Sequence, residues 1–552
     1  MKRIFPVTLV IAVLISSGHL PAQEIEREVV VVKPYEPTLS DAYKISPLPR
    51  IEDSAAVTPS FHYSILPARI DAPFVLKPIQ AAKMIGTPLE KLYNSYIKLG
   101  MGNYTTPVAE YNFNSLRSKD KSIGAYFRHQ SSGSKLTLDN GDKVPAGYSV
   151  NQAEIYGKKF YDHSDLSGGF RFKADGIHHY GYNTLLFPDT SLDIKGKEIK
   201  QSYIRAGVDI RYHSTYSDSS HLNYDLTFRY NNFNDKFDNF ENLLILSTAL
   251  NKMFGEKLFG IDIGFTLNNA SKSIDSSAAV LFDVSPYFSK KNADYEFEVG
   301  ARLYASTGNQ KNTYFYPRAV LKFSIVDRIL VPYVGIDGNA GLVTCEKLSD
   351  ENPYVMPASS SEITDRLFIY AGLTGLLSSK SGFNLNVSYN LINHMPMFIN
   401  DTTGRYDNRF KVINDDVELY KYSGEIFYTP LKNLKLLLTG NIYGYTMTSE
   451  AKAWHKPGYE FIFQTNYNLK EKIYANVIMN FIGPGYAKPY DIMLSAVKLD
   501  PFADINLGLE YRYSKILSVF ADVYNLTSSK YYLWNQYPCR RLNVIIGFTY
   551  KL

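Results

Sequence analysis

From about Asn94 to Leu552 apolar and polar residues alternate with period two. In Asp294–Ala305 the residues Tyr295, Phe297, Val299, Ala301, Leu303 and Ala305 share one face, and Asp294, Glu296, Glu298, Gly300, Arg302 and Tyr304 the other. Phe502–Tyr513 repeats the pattern, setting Ile505, Leu507 and Leu509 against Asn506 and Glu510. So does the end of the chain, where Val544, Ile546, Phe548 and Tyr550 alternate with Asn543, Gly547 and Thr549, and Ile545 is the one apolar residue on the polar side. Successive side chains of an extended strand point to opposite faces, so these are strands with one greasy and one polar face. The pattern predicts twenty-two of them, near 94–104, 106–116, 120–130, 151–161, 165–179, 199–214, 219–233, 240–252, 256–270, 275–289, 294–306, 313–325, 329–341, 363–377, 382–393, 415–429, 434–446, 457–468, 472–483, 502–513, 516–526 and 541–552.

Such strands suit a soluble antiparallel sheet, with core on one side and water on the other. They equally suit a transmembrane barrel, with lipid outside and a wet lumen inside. Connection lengths separate the two. Every second connection is short, as at 117–119, 162–164, 253–255, 291–293, 430–433 and 514–515; many of the others are long, as at 131–150, 180–198, 342–362, 394–414, 484–501 and 527–540. Short turns at one end and long loops at the other mark an outer-membrane barrel, with the turns and both chain ends toward the periplasm. The fold expected is therefore all-β: a transmembrane antiparallel barrel of about 22 strands over residues 94–552.

Composition fits. The chain has 45 Tyr and 32 Phe but 2 Trp, an aromatic load too high for disorder. Tyr304, Tyr314, Tyr316, Tyr428, Tyr443 and Tyr445 fall near strand ends, where a ring with a wet hydroxyl suits a membrane rim, although strand propensity alone also favours tyrosine. The formal charge of +5 is small and scattered, which argues against nucleic acid. Cys345 and Cys539, the 2 cysteines, lie in long loops and offer no metal-site spacing.

Catalytic patterns are missing. His178 and His179 stand beside a long loop without a partnering motif, and a metal would need further ligands. Lys158–Lys159, Lys290–Lys291 and Arg540–Arg541 read as lumen or rim charges, and Gly168, Gly169, Gly264 and Gly300 as strand glycines that relieve curvature. No enzyme and no cofactor are expected.

The first residues differ in texture. Lys2 and Arg3 precede an apolar run from Ile4 to Ile15, and Leu20-Pro21-Ala22 offers a cleavage site, so residues 1–22 read as a secretory signal peptide. Residues 23–93 carry nine prolines between Pro34 and Pro88, a spacing that forbids long helices and central strands. They are expected to be extended, lying in the periplasm or the lumen.

The C-terminal stretch ADVYNLTSSKYYLWNQYPCRRLNVIIGFTYKL resembles the last two strands of TonB-dependent receptors. Asn525-Leu526 ends the penultimate strand, Tyr531 or Tyr532 takes the loop tyrosine, and Tyr537-Pro538 and Arg541 match the approach to the final strand, with Arg540 in place of the family's Gly. Ile546, Gly547, Tyr550 and Leu552 match the barrel-assembly signal of outer-membrane proteins. The resemblance implies residence in the outer membrane of a Gram-negative cell and contact with lipid, with the barrel-assembly machinery and with TonB or another surface or periplasmic partner. The segment 23–93 is too short and too rich in proline for the family's complete plug domain. Glu28-Val29-Val30-Val31-Val32 resembles the box through which such receptors engage TonB, which an extended strand does by adding to a partner's sheet edge. The plain reading, favoured because Val-rich tetrads are common, is an ordinary strand. Two functions share these features: transport or uptake across the outer membrane, and a non-conducting barrel that scaffolds partner proteins.

Overall fold

The computed structural model describes residues 93–552, apart from 185–193, 217, 219, 272–277, 309–310, 327–328, 357–362 and 491–494. The signal peptide, nearly all of the Pro-rich segment and the Val-rich box at Glu28–Val32 lie outside the described residues.

Twenty-two antiparallel strands form one sheet that closes on itself. The first, Ser95–Gly102, pairs with both the second, Thr106–Asn114, and the last, Asn543–Lys551, the latter in a register that sets Tyr96 opposite Lys551 and Gly102 opposite Ile545. Closure pairs the first and last strands of the sheet with each other, which answers a bilayer that offers no backbone hydrogen-bond partners. Each predicted strand has its counterpart. Among the described residues no helix is long and apolar enough to cross a membrane.

The alternation read from the sequence is the inside–outside alternation of the wall. Met101, Val299, Leu303, Leu509, Ile546 and Phe548 point outward and stay exposed, a continuous apolar girdle that no water-soluble surface carries at this size. Inward, the polar face forms ion pairs: Lys98 with Asp522 at 3.0 Å, Arg318 with Glu298 at 2.6 Å and Asp262 at 3.2 Å, and Lys322 with Glu296 at 2.8 Å. Ile545, the apolar exception, is buried inside against Val108 and Phe520. Gly547 is required by close approach, since a Cβ there would sit 2.0 Å from the carbonyl oxygen of Leu99.

Two expectations need correction. The segment 394–414 is not a long loop: strands Ser381–Asn400 and Phe410–Leu431 run on past the wall as a tall hairpin, leaving only 401–409 between them. The register shifts between Ile392 and Met395, with His394 at φ 55°, and this bulge interrupts the alternation that would have revealed the longer strand. The tyrosines read as a membrane rim mostly face inward. Tyr304 and Tyr316 are buried, Tyr314 packs on their cluster, and Tyr443 and Tyr445 pack on a second interior cluster; of the six only Tyr428 is exposed on the outside.

Candidate functional site: the loop dome

The long connections converge at one end of the barrel and share a core. Leu136, Leu138, Val144, Tyr180, Tyr182, Val343, Leu348, Val355, Phe398, Phe410, Trp534 and Tyr537 form one buried cluster drawn from four loops and the tall hairpin. Tyr537, of the Tyr-Pro pair, is its centre. Its ring stacks on Tyr354 at 3.8 Å and meets Tyr180 edge-on at 4.9 Å, and its hydroxyl donates to the carbonyl of Asn408. The Tyr180 hydroxyl donates to the carbonyl of Pro538 at 2.9 Å. Trp534 packs on Phe398 at 5.2 Å and Phe410 at 5.6 Å. Arg540, which departs from the family pattern, donates to the carbonyl of Ala146 and covers the ring of Tyr148, tying this loop to the first long one.

A second device crosses the lumen. After strand Val331–Leu342 the chain forms a short helix, Cys345–Glu351, capped by Thr344, whose hydroxyl accepts from the Lys347 amide at 3.2 Å. The helix lies against distant wall strands. Arg205 donates to Ser349 at 2.8 Å and lies 3.3 Å from Asp350, which also pairs with Lys173 at 3.2 Å. The chain then returns to the dome, where the Tyr203 hydroxyl donates to the carbonyl of Val355 and Val355 bridges to Phe410. These contacts fix the loop because Arg205, whose side chain is 7% exposed, would be a poorly solvated charge without its partners.

The dome histidines are held neutral by burial. His455 is pushed down to about 4; its Nδ1 lies 2.8 Å from the carbonyl of Phe398 and its Nε2 accepts from the Asn535 amide at 3.3 Å, the pattern of a neutral ring. His179 is pushed down to about 3 by burial and then by the charge of Arg409. His178, the last residue of strand Ser164–His178, contacts the carbonyl of Gly147 at 2.6 Å. Of the two cysteines, Cys345 is buried, and burial pushes the Cys539 thiol up to about 11. Among the described residues no group of three or more His, Cys, Asp or Glu could hold a metal ion.

Beside the dome core lies a cavity of about 1210 Å³, lined by Tyr182, Phe502, Tyr531, Tyr532, Lys411 and Asp407 among others. Tyr531 stacks on Phe502 at 4.1 Å, and Tyr532 donates to Asp139 at 2.6 Å. Aromatic walls with charges of both signs can hold an amphipathic solute of moderate size. At the short-turn mouth a second cavity, of about 860 Å³, is lined by Lys98, Lys435, Glu510, Asp522 and several asparagines, including Asn433 and Asn466. Sequence reasoning marked the Tyr537-Pro538 pair and the two candidate loop tyrosines, but nothing in the sequence could join them to Tyr180, Tyr354 or Phe410. Of the predicted assembly signal, Ile546 points to the exterior, and Tyr550 sits in the final strand opposite Ile97 and Leu517.

No protein-family model and no curated relative matches the sequence. Solved structures do. The ferric-catecholate import receptor Fiu from K12 E. coli aligns with TM-score 0.62 at 10% identity, over 84% of this chain and 82% of that one. The FrpB iron transporter from Neisseria meningitidis gives 0.63 at 9% over 84% and 82%, and the siderophore receptor PirA from Acinetobacter baumannii 0.63 at 8% over 84% and 81%. At such identities the likeness is one of fold, and it agrees with the closed, lipid-girdled wall and the short-turn, long-loop asymmetry. The chain thus has the closed 22-strand barrel fold of these solved receptors and transporters.

Proposed function

We propose that this barrel carries a solute across the outer membrane, taking it up in the cavity beside the dome and passing it through the ion-paired lumen. The observation that carries the reading is the pairing of a built, aromatic-lined cavity at one mouth with an ion-paired polar interior which, among the described residues, the loop 344–356 crosses. The transporters and receptors of like fold favour the same reading, and their named cargoes, iron and siderophores, define a class to be tried first. TonB, engaged through Glu28–Val32, is the proposed source of energy. The barrel-assembly machinery is proposed to read Ile546, Gly547, Tyr550 and Leu552.

Planar-bilayer recording tests the lumen. The intact protein is expected to conduct little. A variant in which 344–356 is replaced by a Gly-Ser linker is expected to conduct freely, because the crossing helix is gone. Silence in both, with the barrel folded, would sink the transport reading. Deleting Glu24–Val32 tests the box: unchanged TonB binding and solute uptake would remove it from the proposal.

A further inference from the structure

One seam of the barrel is not zipped. Among the described residues, strands Thr313–Phe323 and Val331–Leu342 pair at only four positions, from Lys322 opposite Tyr333 to Ala319 opposite Ile336, whereas the next shortest ladder has six. The ladder stops where Pro317, which has no amide hydrogen, faces Gly338, and the Gly338 amide turns instead to the side chain of Asp337 at 2.8 Å. On the far side of Ala301 in the same row, Pro286 interrupts the ladder between Ala279–Lys291 and Tyr295–Thr307 as well. Prolines in a wall strand are thus confined to places where the ladder is already open.

Beyond the break Val331–Leu342 leaves the wall and passes inside its neighbour. Val334 lies on the lipid face and is exposed, yet Gly338, Ala340 and Leu342 of the same face are buried, while Asn339 of the opposite face is exposed to the lumen. What covers them is the inner face of the neighbouring wall: Ala340, Leu342 and Ile363 form one cluster with Leu281, Tyr304 and Tyr316. Tyr316 reaches past the intervening strand and donates to Asp365 at 2.9 Å, and Arg302 reaches Asp337 at 2.9 Å in the same manner. Outside the seam Phe315 is 65% exposed.

We infer that this seam is a lateral portal for an amphiphile with an acyl chain, joining the lumen to the outer half of the bilayer. An unpaired strand edge is tolerated at membrane depth only where it is covered by protein or lines a cavity, and here the cover is an overlapping strand held by side chains rather than by a ladder. The overlap is apolar (Leu281, Leu342, Ile363) and rimmed by tyrosine hydroxyls and Asp365, a surface that takes a chain below and a polar head above. The inference leans on the transport reading only for the passage of the ligand, not for the opening of the seam.

Opening is measured first. In a background with Cys345→Ser and Cys539→Ser, single cysteines from Phe315→Cys and Leu342→Cys are labelled with a fluorophore and placed in vesicles of brominated phosphatidylcholine. Phe315→Cys, on the lipid face, is the control for quenching. Quenching at Leu342→Cys is expected, and should fall several-fold when Pro317→Val restores the missing amide donor. A label at Leu342→Cys that stays bright while the Phe315→Cys label is quenched overturns the portal, whatever the conductance shows. Passage is measured with a fluorescent dodecanoate in proteoliposomes: Pro317→Val should slow its transfer several-fold and leave ion conductance of the linker variant unchanged. Equal dodecanoate transfer with and without Pro317→Val overturns the ligand class.

Discussion

The dome and the wall are built from the same residues turned inside out. In the wall, Phe315, Ile546 and Phe548 look outward and the charges look in. In the dome, Phe398, Phe410, Trp534 and Tyr537 look inward and are almost wholly buried, as in any water-soluble core. The wall obtains its order from backbone ladders that a bilayer makes obligatory, and it can leave its apolar side chains unpacked against lipid. Apart from the tall hairpin the dome has only two- and three-residue hairpins, so side-chain packing must hold its loops. A substitution should therefore act by different physics in each.

The largest effect is expected at the centre of the dome. Tyr537→Ala removes a buried ring and should cost about 3–5 kcal/mol of local stability. Hydrogen exchange of the loops 133–147, 401–409 and 525–542 should rise sharply while the heat-modifiable gel mobility of the barrel stays native. If the wall loosened equally, the two regions would be one cooperative unit and the contrast would be lost.

Next comes a charge on the lipid face. Leu507→Arg should cost about 2–4 kcal/mol if the site lies near the bilayer midplane, and Asn506→Arg far less. Refolding into lipid vesicles under urea measures both, and equal penalties would show the faces to be wrongly assigned.

Acid should separate the regions without any mutation. His455 titrates at about 4 in the folded dome and near 6.5 unfolded, so its contribution is whole above pH 6.5 and is lost as the pH falls toward 4. By pH 5 the dome should have lost about 2 kcal/mol through this ring, with His179 adding to it. Protease cleavage of the loops at pH 5 and 7.5 tests this; an unchanged cleavage rate would mean that the ring is not held neutral by burial.

The smallest effect is expected on the dome's surface. Asp139 is exposed and takes its hydrogen bonds from Lys530 and Tyr532, so Asp139→Asn should change loop stability by less than about 1 kcal/mol. A larger shift in exchange near Tyr532 would place this pair in the core of the dome rather than at the cavity edge.

How much was legible follows from the same contrast. Wall strands announce themselves because lipid and lumen impose period two on every residue. Where a strand left the wall the signal failed. The bulge at His394 hid the tall hairpin, and the inward faces of Tyr304 and Tyr316 could not be told from a rim by position along the strand. The dome was illegible for a deeper reason. Tyr180, Tyr354 and Tyr537 meet from three loops with no shared periodicity, and only the Tyr-Pro resemblance drew attention to one of them.

The meeting of the first and last strands also sets a timetable. Ser95–Gly102 obtains its second neighbour only from Asn543–Lys551, where the amide of Leu552 donates to the carbonyl of Ser95 at 2.9 Å. Closure is thus the contact of greatest sequence separation, and until the final residues arrive both margins of the sheet stand bare. Non-local pairings of this kind are slow to form and hazardous while they wait. A nascent chain interrupted anywhere before Asn543 would keep two sticky borders for as long as it lived, and the periplasm must shelter almost the whole polypeptide before the cylinder can shut.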